Sequence, residues 1–95
     1  MIQEKQLEEY LKSNCFGEDN AMFSKELEKI FHTNGNAIRE KVNSLRQQGI
    51  PICSSSNGYY YASSKMDVIK TISNLSSRIV GITKAISGLN SYLKK

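Results

Sequence analysis

Asn34-Gly-Asn-Ala-Ile-Arg-Glu-Lys-Val-Asn-Ser-Leu-Arg-Gln-Gln-Gly49, followed by Ile50-Pro-Ile-Cys-Ser-Ser-Ser-Asn-Gly-Tyr-Tyr-Tyr-Ala62, decides how this chain folds. Ile38, Val42 and Leu45 recur at i, i+4 and i+7 and so line one face of a helix. Asn36, Arg39, Glu40, Asn43, Arg46 and Gln47 cover the rest of it. Asn34 carries the short acceptor of an N-cap, and Gly49 is suited to the left-handed conformation that stops a helix near Gln48. Beyond it, two β-prone runs flank Asn57-Gly58, a pair that supplies the positive φ angles a tight hairpin turn requires. Pro51 has no N–H for a ladder, which places it at the start or on the outward side of an edge strand. Alternation along Tyr59, Tyr60 and Tyr61 directs at least one ring into the core.

Upstream, Leu7, Tyr10 and Leu11 predict an amphipathic helix from Ile2 to about Asn14. Its charges pair Lys5 with Glu9 and Glu8 with Lys12 at i,i+4 spacing, worth a few tenths of a kcal/mol each. Gly17 to Asn20 breaks the pattern, and Ala21-Met-Phe23 is long enough for one step of strand pairing. Ser24 is the expected cap of a second helix over Lys25–Phe31, with Leu27, Ile30 and Phe31 on one side. His32-Thr-Asn-Gly35 then reads as a tight turn, and His32, the lone histidine, as a turn or surface residue.

Downstream, Val68, Ile72, Leu75, Ile79, Ile82, Ile86, Leu89 and Leu93 alternate steps of four and three residues, a 3.5-residue repeat held for nearly four heptads. With Ile72, Ile79, Ile86 and Leu93 at a, the d positions are Val68, Leu75, Ile82 and Leu89, a pattern that leans toward two parallel strands and leaves antiparallel pairing open. Gly81 and Gly88 each cost about 1 kcal/mol in a helix relative to Ala. A rod of ~40 Å with so weak an intrinsic propensity has to bury its stripe. The expected partner is a second copy, and the alternative is that the helix bends back over its own body. The chain thus divides into a domain over residues 1–64 and a dimerisation helix over 65–95.

A chain of 95 residues, 39% hydrophobic and 23% charged, has room for a single core. The net charge of +4 is unevenly spread. Residues 1–33 carry −3, residues 34–64 carry +2 and residues 65–95 carry +5, so a polyanion is repelled by the first helix and approached by the rest. With no secretory pattern and no apolar run near the ~20 residues of a membrane span, a soluble cytoplasmic protein with no membrane partner is expected. Cys15 and Cys53 have neither metal nor redox spacing and are expected to be buried reduced thiols. No nucleophile with its base, no paired carboxylates, no metal cluster and no phosphate-binding glycine loop is found, so neither an enzyme nor a cofactor or metal site is expected.

Helix, short strand, helix, turn, helix and hairpin is the element order of a winged helix, whose third helix enters the major groove with the hairpin at its flank. Ala37-Ile-Arg-Glu-Lys-Val-Asn-Ser-Leu-Arg46, then Gly49-Ile-Pro-Ile52 and Gly58-Tyr-Tyr-Tyr-Ala62, resembles the N-terminal DNA-binding domain of biotin-repressor-type winged helices. It is similar also to small winged-helix proteins of bacteriophages and prophages of low-GC Gram-positive bacteria. The resemblance covers roughly residues 1–64. It implies that Asn36 and Arg39 read bases or contact phosphates and that Ser55, Ser56 and Asn57 form the wing tip.

The expected class is therefore mainly α with a small β-hairpin wing, a winged helix-turn-helix followed by a long coiled-coil helix. The expected function is a dimeric, sequence-specific double-stranded DNA-binding protein, a phage-type regulator of transcription or replication. Arg39 is the candidate for a guanine edge or a phosphate, Asn36 and Asn43 for bases, and Lys41, Arg46 and Lys65 for phosphates. Glu40 and Gln47 share the same exposed face. The alternative is a winged-helix protein-interaction module that modulates a host protein complex, favoured by a tip of only Ser and Asn and by the modest net charge.

Overall fold

In the computed structural model, which describes residues 2–94, helix α1 spans Glu4–Asn14, a 3-10 turn spans Glu18–Asn20, α2 spans Ser24–Ile30 and α3 spans Gly35–Gln47. Strands β1, Ile52–Ser55, and β2, Gly58–Tyr61, form an antiparallel hairpin, and α4 runs from Lys65 to Leu93. The chain is thus mainly helical, with one two-stranded hairpin and a long C-terminal helix, as its sequence pattern predicts. Met1 and Lys95, the outer ends of the two expected segments, lie outside the described residues.

The core is assembled by the periodic positions. Leu7 and Leu11 of α1, Leu27 of α2, and Ile38, Val42 and Leu45 of α3 close around Ile52, Cys53 and Tyr60 of the hairpin, together with Cys15 and Ile2. Full burial of each large aliphatic side chain contributes about 1.5–3 kcal/mol, so the three α3 positions alone account for much of the net stability of a body this small. Tyr60 is 1% exposed and is the ring that alternation sends inward; Tyr59 and Tyr61 are half-buried. Both cysteines are free and buried, and burial pushes each thiol pKa up, which keeps them protonated and inert.

Around α3 the helix ends follow the sequence signals, whereas α1 begins at Glu4 rather than Ile2 and α2 departs at both ends. Asn34 Oδ1 accepts from the Ala37 amide at 2.9 Å. Gly49 turns the chain at φ 87°, where the Ile50 amide reaches back to the Leu45 carbonyl at 3.0 Å. His32 occupies the turn with φ 51° and is exposed. Ser24, by contrast, does not cap α2. Phe23 holds that position, and Ser24 is the first helical residue, its hydroxyl donating to Glu28 Oε2 at 3.0 Å. The second helix also ends a residue early, at Ile30, which is 42% exposed rather than on the buried side with Leu27.

The hairpin corrects a second expectation. Its register pairs Ser55 with Gly58, so the two loop residues are Ser56 and Asn57, and Asn57 does not adopt positive φ. Gly58 does, at 114°, for a different reason. The segment before α2 forms the expected single strand step, with Met22 and Tyr59 exchanging backbone hydrogen bonds of 2.9 Å in both directions. That pairing brings the Met22 carbonyl oxygen to 2.3 Å from where a Cβ on residue 58 would lie. Phe16 adds a parallel bridge to Tyr61 that the sequence pattern did not announce.

Ser64 caps α4 by accepting from the Asp67 amide at 3.3 Å, and Asp67 Oδ2 accepts from both the Ser63 amide and hydroxyl at 2.9 Å. The helix meets the body along β1: Val68 packs against the core, Thr71 is buried, and the Ser54 amide donates to Thr71 Oγ1 at 3.4 Å. From Ser76 to Lys94 every residue is exposed, so the helix does not bend back over its own body.

Gly58→Ala is expected to combine left-handed strain with a clash against backbone that cannot move without unpairing Met22. It should cost on the order of 2–4 kcal/mol, read as a lowered midpoint in urea denaturation. An unchanged midpoint would show that the Met22–Tyr59 pairing is not rigid.

Candidate functional site

Helix α3 is gripped along both flanks. On one side the Ser44 hydroxyl donates to Glu4 Oε1, and Gln48 Nε2 donates to Glu4 Oε2 at 3.3 Å, which ties it to α1. On the other, Arg46 Nε donates to the Ile52 carbonyl at 2.8 Å and Nη2 to Ser54 Oγ at 3.1 Å, which ties it to β1. Between the two flanks Asn36, Glu40, Asn43 and Gln47 point outward and are exposed. Arg39 is exposed beside them, its Nη2 donating to Asn36 Oδ1 on the preceding turn.

The candidate residues therefore divide. Asn36, Arg39, Glu40, Asn43 and Gln47 form one continuous polar face with no partner from another element among the described hydrogen bonds. Ser56 and Asn57 are exposed at the hairpin tip, whereas Ser55 is half-buried and its hydroxyl accepts from the Asn57 amide at 3.1 Å. Lys65 stands exposed at the first turn of α4.

Two expected phosphate ligands are placed otherwise. Lys41 lies half-buried on the α1 flank, where its charge helps lower the Glu4 pKa. Arg46 is half-buried as a staple between α3 and the hairpin rather than displayed with the outward face, and burial pushes its pKa down.

The heptad positions divide in a similar way. Val68 and Leu75 are half-buried and, with Ile72, line an apolar groove of about 230 Å³ against Ile50, Pro51 and Ile52. Ile79, Ile82, Ile86, Leu89 and Leu93 are exposed, up to 78% at Leu93, as is Ile72. Met66, Ile69, Val80 and Tyr92 add further exposed apolar surface. Gly81 and Gly88 face open space.

Sequence reasoning missed a polar cleft of about 230 Å³ between α3, the hairpin and α4, walled by Ser24, Arg46, Ser54, Ser55, Gly58, Tyr59 and Arg78. Nothing in spacing announces it, because it needs α4 to lie along β1 before Arg78 can face Arg46.

Among the described residues no group of three or more His, Cys, Asp or Glu is placed to hold a metal ion, and no helix is long and apolar enough to cross a membrane. Comparison with protein-family models, curated proteins and solved structures found no match.

The Glu4 contacts carry a pH signature. The Ser44 hydrogen bond, helped by Gln48 and Lys41, holds the Glu4 carboxyl below its usual range. A depressed folded pKa gives stability that is complete above the ordinary carboxylate value and is lost as pH falls through the folded value. Glu4→Gln is expected to lower the melting temperature at neutral pH and to converge with the wild type in acid. Parallel curves at all pH values would show that these contacts contribute nothing.

Proposed function

We infer that this protein is a dimeric double-stranded DNA-binding protein of the winged-helix type, a regulator of transcription or replication such as phages encode. The observation that supports it is the uncovered face of α3, where Asn36, Arg39, Glu40, Asn43 and Gln47 stand exposed on a helix locked at both flanks beside a hairpin. A B-form major groove admits one α-helix, and amide and guanidinium groups match its base edges. Rigid positioning matters because base reading tolerates little angular play. In this reading Arg39 reads a guanine or clamps a phosphate, Asn36 and Asn43 reach bases, and Lys65 meets the backbone.

The exposed stripe of α4 supports pairing with a second copy. A run of exposed apolar residues from Ile72 to Leu93 is far more than a monomer ordinarily leaves in water, and its 3.5-residue spacing is self-complementary. Residues 76–93 project roughly 27 Å beyond the body, so the seam forms there, chiefly through Ile79, Ile82, Ile86, Leu89 and Leu93. Val68 and Leu75 contribute mostly to their own chain. Two copies would then place their third helices in successive major grooves about one helical turn apart.

A second reading, a module that binds a host protein complex through the same face, is favoured by the hairpin tip, which offers Ser56 and Asn57 and no cation. Fluorescence anisotropy with a randomised duplex pool separates the two. A dimer making four phosphate contacts loses roughly a hundredfold in affinity between about 50 and 200 mM salt. Absence of binding at micromolar protein in low salt rejects the DNA reading. Arg39→Ala should cost ~1–3 kcal/mol on the selected site if it reads a base, whereas an equal loss on every sequence makes it a backbone clamp. For assembly, Ile82→Asp is expected to give a monomer by light scattering with the circular dichroism of the body retained. Unchanged mass removes the proposed seam.

A further inference from the structure

The polar cleft joins four elements and contains no carboxylate. Ser24 comes from the start of α2, Arg46 from α3, Ser54, Ser55, Gly58 and Tyr59 from the hairpin, and Arg78 from the exposed part of α4. Two guanidinium-bearing residues, one from α3 and one from α4, thus line one space with three serines. Among the described residues the only side-chain hydrogen bond between a wall residue and a carboxylate is the one from Ser24 to Glu28, and Glu28 is not part of the wall.

Arg46 is half-buried, with two of its N–H groups fixed by Ile52 and Ser54, and no other hydrogen bond among the described residues takes the rest. A guanidinium carries five N–H donors. A desolvated cation facing a second cation without a counter-charge is unfavourable, and an anion between them relieves both costs. Burial pushes the Arg46 pKa down, and the charge of Arg78 acts in the same direction as the smallest of the contributions, after the opposing ones of Tyr59 and Cys53.

The geometry points to this cleft as a binding site for a phosphoryl group. A carboxylate offers two oxygens in one plane and suits a single planar fork. A phosphoryl group presents three oxygens in a tetrahedral array and can accept from guanidinium groups on two walls and from serine hydroxyls at once. At a ~30 Å³ share of liquid volume per water, the cleft has room for the group with part of its hydration. The ligand bridges α4 to the body two turns beyond Thr71, the last buried residue of the helix, so its binding also fixes the direction in which α4 leaves.

The phosphoryl group has two possible sources, a duplex backbone or a free phosphorylated compound, and the site itself does not depend on the DNA reading. The first arm titrates inorganic phosphate into the full chain at low ionic strength, followed by amide and arginine Nε–H resonances, with sodium chloride at matched ionic strength as control. Saturable shifts at Arg46, Arg78, Ser54, Ser55 and Tyr59, absent with chloride, are expected. Arg78→Gln, at an exposed position that leaves the fold intact, should weaken phosphate about tenfold. Identical non-saturating responses to both salts, or an unaltered titration in Arg78→Gln with its spectrum otherwise preserved, overturns the proposal. The second arm repeats duplex binding with saturating phosphate. Competition beyond that of matched chloride, together with duplex weakening in Arg78→Gln, assigns the site to the nucleic-acid backbone. Saturable phosphate binding without competition assigns it to a free phosphorylated compound and leaves any duplex binding elsewhere on the molecule.

Discussion

The bond pair from Arg46 to the Ile52 carbonyl and the Ser54 hydroxyl is the contact on which the rest of the arrangement depends. Apolar burial through Ile38, Val42 and Leu45 presses α3 against the core, but the hydrophobic effect is non-directional. A charged donor anchored to a backbone carbonyl fixes the orientation of the helix, because its geometry is directional and the guanidinium is too desolvated to be released cheaply. With Glu4 holding the other flank through Ser44 and Gln48, the outward face has a fixed azimuth relative to the hairpin. The same arginine also lines the polar cleft, so one side chain both orients α3 and shapes that cleft.

Helix α4 shows a different balance. Its first two turns are integrated with the body by the Ser64 cap, Val68, Thr71 and the Ser54 amide. From Ser76 to Lys94 none of the described residues covers it. Two glycines and many Ser, Thr and Asn residues give that portion poor intrinsic helicity, so in isolation it is held only by continuity with the anchored turns. A second copy would supply the missing burial where the deficit is greatest, whereas Val68 and Leu75 already serve their own body.

What was legible in the sequence was whatever rests on local periodicity or on a single residue's backbone preference. The three helices of the body, the Asn34 cap, the Gly49 stop, the hairpin and the length of α4 all follow from such signals. What was not legible depends on contacts between segments distant in sequence. Asn57-Gly58 looks like a turn pair, yet Gly58 is needed because Met22, thirty-six residues earlier, lies against it. Arg46 looks like a surface cation from its helical phase, yet the hairpin folds over it. Lys41 looks like its equal, yet α1 brings Glu4 beside it. The outward face of α3 survived because it faces away from every other element.

These placements also sort the cations by chemistry. The chain has three arginines, Arg39, Arg46 and Arg78, and lysines at every other basic position. Arg39 and Arg46, seven residues apart, fall on the same side of α3, while Lys41 lies half-buried on the other flank, near Glu4. Arg78 arrives on the hairpin side from α4. A planar fork that keeps its charge when partly buried is what recognition of phosphoryl oxygens or base edges requires, and a flexible ammonium suffices for a solvated surface. Seven of the nine carboxylates precede residue 34 and all three arginines follow it, so the charge asymmetry along the sequence is carried into the fold.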